Sequence, residues 1–260
     1  MVRRVDVTRY VEPLREGGSL PAIVEADDDG LYVLKFRGAG QGARALVAEL
    51  VAGEIGRALG LAVPEIVLAE LDPALGRAER HQEIQELLLA SGGLNLGLDY
   101  LPGALPFDPL ATEPVDPLLA SSVVWFDAYI TNVDRTIRNT NLLAWHRRLW
   151  LIDHGAALYF HHSWGEALSR SQAPFAPIRQ HVLLPWATKL AEADALLRPR
   201  LSEAVLRGIL AEVPDAWLEP VAGFPTPEEQ RAAYVEFLTS RLAASGVFVE
   251  EAAHARAARV

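Results

Sequence analysis

The chain has 260 residues, half of them apolar and 22% charged, so it is long enough to bury a core in one large domain or in two small lobes. It contains no cysteine, which excludes a disulfide framework, a thiolate zinc site and a cysteine nucleophile. The formal net charge of −10 argues against nucleic acid as the main partner, because phosphate binding needs concentrated positive charge.

The sequence carries no recognisable membrane or export signal. Residues 1–6 have no apolar stretch after their two arginines, so we expect no signal peptide. No window reaches the roughly 20 uninterrupted apolar residues of a membrane-spanning helix. Together with the absence of cysteine, these features favour the cytoplasm and predict no membrane partner.

Strand and turn signals alternate through the first hundred residues, which predicts a β-rich lobe. A glycine-rich loop at 16–19 precedes them, and a second glycine-rich segment lies at 38–42. The predicted elements are strands over 21–25 and 31–36 joined by a turn, a helix over 43–59, a strand over 63–69, a helix over 83–90 and a further segment over 94–101.

Residues 102–116 are rich in proline and aspartate and mark the passage into a second, helical lobe. A strong helix is predicted over 117–130, followed by a hairpin of 141–145 and 149–152. The rest is mostly helical, and a capping box opens a helix over 226–245. We therefore predict an α+β fold in two lobes, residues 1–101 and 102–260.

Lysine is rare in this chain. Of 24 basic residues only two are lysines, Lys35 and Lys189. Lys35 lies inside the apolar run at 31–36. A compact ammonium group there either snorkels at a strand end or is placed for chemistry, and its rarity favours the chemical role.

Carboxylate and amide side chains gather around the second predicted hairpin. The outer ends of a hairpin lie side by side, and here they carry Asn139 and Asn141 on one side and Asp153 on the other. Asp134 lies five residues before Asn139, just after a predicted helix. One segment thus gathers two carboxylates and one or two amide oxygens, hard ligands that suit Mg²⁺. The sequence leaves open whether Asn139 or Asn141 is the metal ligand.

Phosphoryl transfer uses this set of residue types. One Asp orients the attacking hydroxyl, and Asp134 is the candidate. An Asn and a second Asp hold the metal, and Asn139 and Asp153 are the candidates. Each has an ordinary interpretation as well, as a loop cap, a turn residue or a strand end, but those interpretations would bring all three to one point only by accident.

The β-rich lobe offers the remaining parts of such a site. A lysine on a strand neutralises the phosphates and a glutamate on the next helix fixes it, which are the positions of Lys35 and Glu49, with Glu54 as a rival. A glycine-rich loop lets backbone N–H groups approach phosphate. The candidates for that contact are Gly17, Gly18 and Ser19.

At these residues the chain resembles the HipA-like branch of the protein-kinase-like fold and, more distantly, the phosphatidylinositol kinases. The resemblance is carried by Lys35, by Glu49, by Asp134-Arg135 with Asn139, and by Asp153-His154-Gly155, where His154 stands in place of the phenylalanine of many protein kinases. It implies a two-lobed kinase fold that binds ATP and Mg²⁺ between the lobes. The adenine is then expected near Asp99, Tyr100 and Leu101.

The predicted function is an ATP- and Mg²⁺-dependent phosphotransferase. The acceptor, a protein Ser/Thr or a small-molecule hydroxyl, is not readable from the sequence, because fold-level resemblance does not fix it. The alternative is a nucleotide-binding regulatory module with little or no catalysis. The presence of every residue type of the catalytic set favours the enzyme.

Overall fold

The computed structural model of the chain describes residues 1–14, 20–40, 42–78, 81–110 and 114–259. These residues form an α+β fold, as the sequence predicted. A five-stranded barrel occupies the first hundred residues, and most of the helices follow it.

The barrel closes in the order β1-β2-β3-β5-β4. β1 pairs with β4 in parallel, and the other neighbours are antiparallel. Closure leaves the five strands without a free edge. Their bounds are β1 Arg3–Pro13, β2 Ala22–Ala26, β3 Leu31–Lys35, β4 Ile66–Leu71 and β5 Gly93–Asp99.

The sequence analysis missed β1, since it placed the first strand at 21–25. Val5 and Val7 of β1 are buried, while Arg4 before them and Asp6 between them are exposed. This short alternation of apolar and polar residues is typical of a strand. It was missed because the neighbouring residues are mostly charged and the segment contains few apolar residues. The other predicted strands and helices agree with the structure to within three residues at each end.

Helix α1 (Ala43–Ala58) is buried on nearly all sides. A helix that is apolar all round belongs in a core, and α1 packs against β4, β5 and the later helices. Two glycines allow the close approach: a Cβ at Gly53 would lie 2.5 Å from Ile66 Cδ1, and one at Gly56 would lie 3.0 Å from Val63 Cγ2. The position of α1 is therefore fixed by packing on several sides.

The helical part is centred on α3 (Pro117–Tyr129), which is buried from Ala120 to its end. Asp116 caps the start of α3, and the predicted capping box of α7 is present, with Thr226 and Glu229 bonded reciprocally. The described part of the chain contains no helix long and apolar enough to cross a membrane. The other helices are α2 Gln82–Ala90, α4 Trp164–Ala167, α5 Leu190–Leu197, α6 Glu203–Ala211, α7 Pro227–Ala243 and α8 Ser245–Ala257.

A small antiparallel sheet consists of one strand that precedes α3 in the sequence and two strands that follow it. Its hairpin is the one predicted from the sequence, and residues 107–141 separate it from the first strand. The hairpin fixes the backbone on both sides of the polar cluster described below. The strands are β6 Leu105–Pro106, β7 Leu142–Trp145 and β8 Arg148–Leu151.

The barrel wall supplies a stability test at Gly97 of β5. A Cβ at this position would lie 2.7 Å from Val67 Cγ2 and 3.3 Å from Tyr32 Cβ, and both neighbours are buried. We expect Gly97→Ala to lower the free energy of unfolding by about 1–3 kcal/mol, because a rigid strand pair must shift. Urea unfolding measures the change.

The matched control is Gly208→Ala in α6, where no atom lies within 4 Å of the new Cβ. Its helix interior favours Ala over Gly by about 0.5–1 kcal/mol, so this variant should be more stable than the parent. Equal unfolding midpoints for the two variants would contradict the packing described for Gly97.

Candidate active site

A buried lysine joins three separate parts of the chain. Lys35, at the end of β3, donates a hydrogen bond from Nζ to Glu49 Oε2 over 2.7 Å and another to Asp153 Oδ1 over 2.5 Å. Glu49 comes from α1, and Asp153 follows the hairpin strand β8. One ammonium group thus links the barrel, the buried helix and the hairpin.

The charges in this triad stabilise one another. The Lys35 side chain is 12% exposed and that of Glu49 is completely buried, whereas that of Asp153 is 46% exposed. Burial by itself lowers the pKa of Lys35, but the charges of Glu49 and Asp153 outweigh it and raise that pKa. Burial likewise favours protonation of Glu49, and Lys35 reverses this and holds the Glu49 pKa well below its usual range. Lys35 and Glu49 are therefore both ionised at neutral pH.

His154 contacts the second oxygen of Glu49. Its Nδ1 lies 3.3 Å from Glu49 Oε1, and its ring meets Phe126 edge-on. Since a carboxylate only accepts, the Nδ1–H is the donor. His154 Nε2 has no hydrogen-bond partner among the described residues. The sequence analysis noted His154 only as a departure from a family pattern and missed this contact, which needs the position of α1.

Asp134 lies in the loop after α3 and is held by side-chain amides. Asn139 Nδ2 donates to Asp134 Oδ2 over 2.6 Å, and Asn141 Nδ2 approaches the same oxygen at 3.4 Å. Burial raises the pKa of Asp134, the two amides oppose the rise, and the negative charge of Asp153 adds to it. Asn139 is exposed and Asn141 is buried, so the two amides differ in access to solvent.

The loop that carries Asp134 is anchored on Asp127, a buried carboxylate near the end of α3. Asp127 Oδ2 accepts from Arg135 Nε over 2.6 Å, and Oδ1 accepts from Asn132 Nδ2 over 2.9 Å. Arg135 also donates through Nη1 to the carbonyl oxygens of Asn141 and Ile152. Arg135 therefore fixes the backbone next to Asp134 and next to Asp153, although it does not pair with either.

His181 completes the anchor as a neutral imidazole. Its Nδ1 accepts the Leu183 N–H over 3.0 Å, so the proton is on Nε2, which donates to Asp127 Oδ2 over 2.8 Å. Burial lowers the pKa of His181, in agreement with the neutral form. Burial would raise the pKa of Asp127, but the Arg135 charge and the His181 bond hold it well below its usual range.

Sequence reasoning missed Asp127 and His181. The available signal for Asp127 was a lone carboxylate inside the apolar helical run at 123–130. A charge is rarely buried without a partner, so a lone Asp in such a run indicates a buried network. Its partners lie up to 54 residues away, and the sequence does not identify them.

The backbone around the site is strained. Four non-glycine residues have left-handed φ values: Thr131 at 55°, Asn141 at 48°, Asp153 at 55° and Leu158 at 52°. Each such residue costs of order 1–3 kcal/mol, and such strain persists where the surroundings over-determine it, typically at functional sites. Asn and Asp tolerate this region best, which suits Asn141 and Asp153.

Lys35, Asp134 and Asp153 line one cavity of about 300 Å³. Its opposite wall comes from Ala39 and Gly40, in the second glycine-rich segment, together with the first turn of α1. The glycine-rich segment that borders the cavity is thus the one at 38–42. The predicted phosphate-loop residues Gly17, Gly18 and Ser19 lie outside the described residues.

The predicted adenine contacts lie at the end of β5. Asp99 is opposite Tyr32, whereas Lys35 is opposite Leu96, so the two positions are about 10 Å apart along the strand pair. After Asp99, which is exposed, come Tyr100, half-buried, and Leu101, buried. Within the described residues no group of three or more His, Asp or Glu side chains is arranged for a metal ion, and the two carboxylates that face the cavity are Asp134 and Asp153.

The chain shares its fold with a solved kinase. The crystal structure of the Helicobacter pylori proinflammatory kinase CtkA matches with a TM-score of 0.57 at 14% identity, over 100% of this chain and 99% of that one. Two structures of the Golgi casein kinase, one with Mn/ADP bound, match with TM-scores of 0.49 and 0.46 at 12% and 11% identity. They cover 96% and 94% of this chain and 73% of theirs. The likeness to CtkA concerns the fold alone.

Sequence comparison identifies the family. A search of curated proteins found no match. A family model described as HipA-like kinase matches residues 7–245, a span that includes all of the barrel except the start of β1, together with Lys35 and the hairpin. The resemblance predicted from the motifs at Lys35, Asp134 and Asp153 is therefore confirmed at the level of the family, and the enzyme class is that of a kinase. Because the model spans most of its length, the chain belongs to the HipA-like kinase family.

Proposed function

We propose that this kinase transfers the γ-phosphoryl group of ATP to a hydroxyl acceptor with the help of Mg²⁺. The observation that carries the proposal is the bridge from Lys35 Nζ to Glu49 and Asp153, at the cavity that Asp134 also lines. The cavity thus brings together a cation for phosphate (Lys35), a carboxylate for metal (Asp153) and a carboxylate for the acceptor hydroxyl (Asp134). Phosphoryl transfer depends on positioning and charge, which this arrangement supplies.

Lys35 is the proposed phosphate contact, and Glu49 is its positioning residue. Glu49 is fully buried and cannot turn toward solvent, so it keeps the ammonium group at the cavity wall. Backbone N–H groups of a glycine-rich loop would add to the phosphate contact. The proposed loop residues remain Gly17, Gly18 and Ser19, and Ala39 and Gly40 border the cavity as well.

The residues at the cavity fit Mg²⁺. The negative charge of Asp153 contributes to the raised pKa of Asp134, so a cation between these carboxylates would relieve their repulsion. Carboxylate and amide oxygens are the hard ligands that Mg²⁺ takes. We assign the metal to Asp153 with Asn139, and Asn141 remains the alternative amide. When bound, Mg²⁺ would neutralise charge on the phosphates.

Asp134 is the proposed group that orients the acceptor. The acceptor oxygen bonds to the γ-phosphorus, the bond from that phosphorus to the ADP oxygen breaks, and the hydroxyl proton passes to an Asp134 oxygen. Burial makes Asp134 more basic than an exposed carboxylate, which favours that proton transfer. Asn139 donates to Oδ2 and so holds the carboxylate in one orientation.

The wider assignment follows the two-lobed plan of the family. We propose that the two lobes are residues 1–101 and 102–260. The adenine of ATP is proposed to contact Asp99, Tyr100 and Leu101, and the enzyme is proposed to be cytoplasmic. The acceptor is a protein Ser/Thr or a small-molecule hydroxyl. The alternative, a nucleotide-binding module without catalysis, predicts binding of ATP without turnover, and the experiments below separate the two.

The first test is Asp134→Asn, which keeps the shape of the side chain and removes its charge. Because positioned acid–base groups are typically worth about 10²–10⁴-fold, we expect transfer from labelled ATP to fall by that factor while Mg·ATP binding stays near the parent value. Transfer is measured with a cell lysate as the source of acceptor, and binding by calorimetry.

Asn139→Ala is the companion variant and should weaken metal-dependent binding as well as transfer. If Asp134→Asn transfers at the parent rate, the role given to Asp134 is wrong. If the parent binds Mg·ATP and gives no transfer or hydrolysis under any condition, the non-catalytic module replaces the enzyme.

The second test is Lys35→Met, with the chain's other lysine as its control. Lys35→Met should remove most transfer, because the phosphates lose their cation, and should destabilise the fold by about 3–5 kcal/mol, because Glu49 is left buried without that partner. Lys189→Met changes an exposed lysine paired with Glu192 and should affect neither property.

Lys35→Arg separates the two effects of the lysine substitution. It keeps the positive charge beside Glu49 but has a longer, planar head group. We expect thermal stability near that of the parent and transfer well below it. Full transfer by either Lys35 variant would make Lys35 a structural residue.

The third test concerns the metal. Asp153→Ala removes a proposed metal ligand, so the Mg²⁺-dependent part of the ATP-induced shift in melting temperature should vanish, while Asp134→Asn keeps it. Melting curves with ATP in EDTA and with ATP and Mg²⁺ measure that part. An unchanged Mg²⁺-dependent shift in folded Asp153→Ala protein contradicts the metal assignment.

A further inference from the structure

A second and larger cavity lies on the other side of the first turn of α1. Its volume is about 770 Å³, against about 300 Å³ for the cavity at Lys35. Arg37 and Arg44 line it from the segment around the start of α1, and Tyr159, His162, Trp217 and Tyr234 line it from the helical part. We call it the Arg44 cavity. Neither Asp134 nor Asp153 lines it, so it is separate from the proposed catalytic cleft.

The two arginines of the Arg44 cavity have no carboxylate within salt-bridge distance among the described residues. Arg37 and Arg44 are both half-buried, and neither forms a salt bridge within the described part of the chain. Arg37 donates to the Gly92 carbonyl oxygen over 2.6 Å. One carboxylate, Glu219, also lines the cavity, but it is exposed and lies beyond salt-bridge distance of both arginines.

The surrounding groups are consistent with a positive cavity. Burial, and then the charge of Arg44, lower the pKa of His162, and no carboxylate acts to raise it. Helix α1 begins at Ala43, after the N-cap residue Gly42, which has no side chain to cap it, and its first turn contains no acidic residue. The N-terminal end of that 16-residue helix adds positive potential, and Gly42, Ala43 and Arg44 at this end line the cavity.

Arg135 and Arg241, the two arginines that are fully buried among the described residues, have acceptors within the chain. Arg135 pairs with Asp127, and Arg241 donates to carbonyl oxygens of Ala128, Tyr129, Ser171 and Ala173. A guanidinium keeps its positive charge because it does not lose its proton, so a half-buried arginine without a carboxylate partner attracts anions. Arg44, and the N–H groups of Arg37 other than the one that binds Gly92, are therefore available as donors to an anion supplied from outside.

The volume of the Arg44 cavity and the residues that line it indicate which class of ligand it could bind. The volume lies in the range of small-molecule sites, about 300–1,000 Å³. Three aromatic side chains, Tyr159, Trp217 and Tyr234, line the cavity beside the arginines. Two guanidinium groups suit a dianionic, multiply accepting group better than a single carboxylate, and phosphate is the group that arginine binds through paired hydrogen bonds.

We propose that the Arg44 cavity binds a small phosphate monoester with a planar or apolar body, at a site distinct from the nucleotide cleft. The phosphate contacts Arg44 and Arg37, and the body of the ligand packs against Tyr159. An occupant would touch the first turn of α1, the helix that also positions Glu49. The site is independent of the proposed phosphoryl transfer, since nothing in it uses ATP or metal.

The experiment is calorimetric titration of the full chain with phenyl phosphate and with inorganic phosphate, in the absence of nucleotide and metal. We expect one phenyl phosphate site in the parent and weaker binding of inorganic phosphate. Arg44→Gln should weaken phenyl phosphate by about tenfold or more, since charge-assisted hydrogen bonds are lost. Tyr159→Ala should weaken phenyl phosphate but leave inorganic phosphate unchanged.

Two controls fix the location. Arg207→Gln removes an arginine from a surface pair with Glu203 and should bind as the parent does. Lys35→Met, once shown to be folded by its melting curve, should also retain binding, because Lys35 lies in the other cavity. The proposal is overturned by absence of phenyl phosphate binding up to millimolar concentration, by parent-like binding in Arg44→Gln, or by loss of binding in Lys35→Met. None of these outcomes depends on whether the chain transfers phosphate.

Discussion

The buried ammonium group of Lys35 is the constraint on which the rest of the site depends. A fully buried carboxylate such as Glu49 is tolerated only with a cation beside it, and Lys35 supplies that cation. Because α1 is packed on nearly all sides, the requirement fixes the end of β3 against the helix. Asp153 then completes the contact from the hairpin, so one ion cluster sets the relation of three chain segments.

A second buried carboxylate, Asp127, anchors the loop that carries Asp134. Asp127 has no access to solvent and satisfies its two oxygens with Arg135, Asn132 and His181. Arg135 also donates hydrogen bonds to the carbonyl oxygens of Asn141 and Ile152, and these bonds hold the backbone beside the polar cluster. Strained φ values at Asn141 and Asp153 are maintained there because these contacts leave the backbone no relaxed alternative. Rigidity of this kind is what a reaction governed by positioning needs.

Helix α1 borders both cavities, and its two sides are electrostatically different. On one side Glu49 is neutralised by Lys35, and the neighbouring carboxylates face the smaller cavity. On the other side Arg44 lines the larger cavity and has no salt-bridge partner among the described residues. A ligand in either cavity would therefore contact the same helix.

The sequence by itself determined the α+β class, most elements to within three residues, and the candidates at Lys35, Asp134 and Asp153. These features could be predicted because the hydrophobic periodicity, the turn residues and the rarity of lysine are visible in short stretches of sequence. Only the tertiary structure decided which distant side chains meet, such as the partners of Asp127 and the contact of His154 with Glu49. It also revealed strand β1, whose sequence is too polar to be recognised as a strand without the strands that pair with it. Burial of a charge is a property of the whole fold, and so are the contacts that make that burial possible.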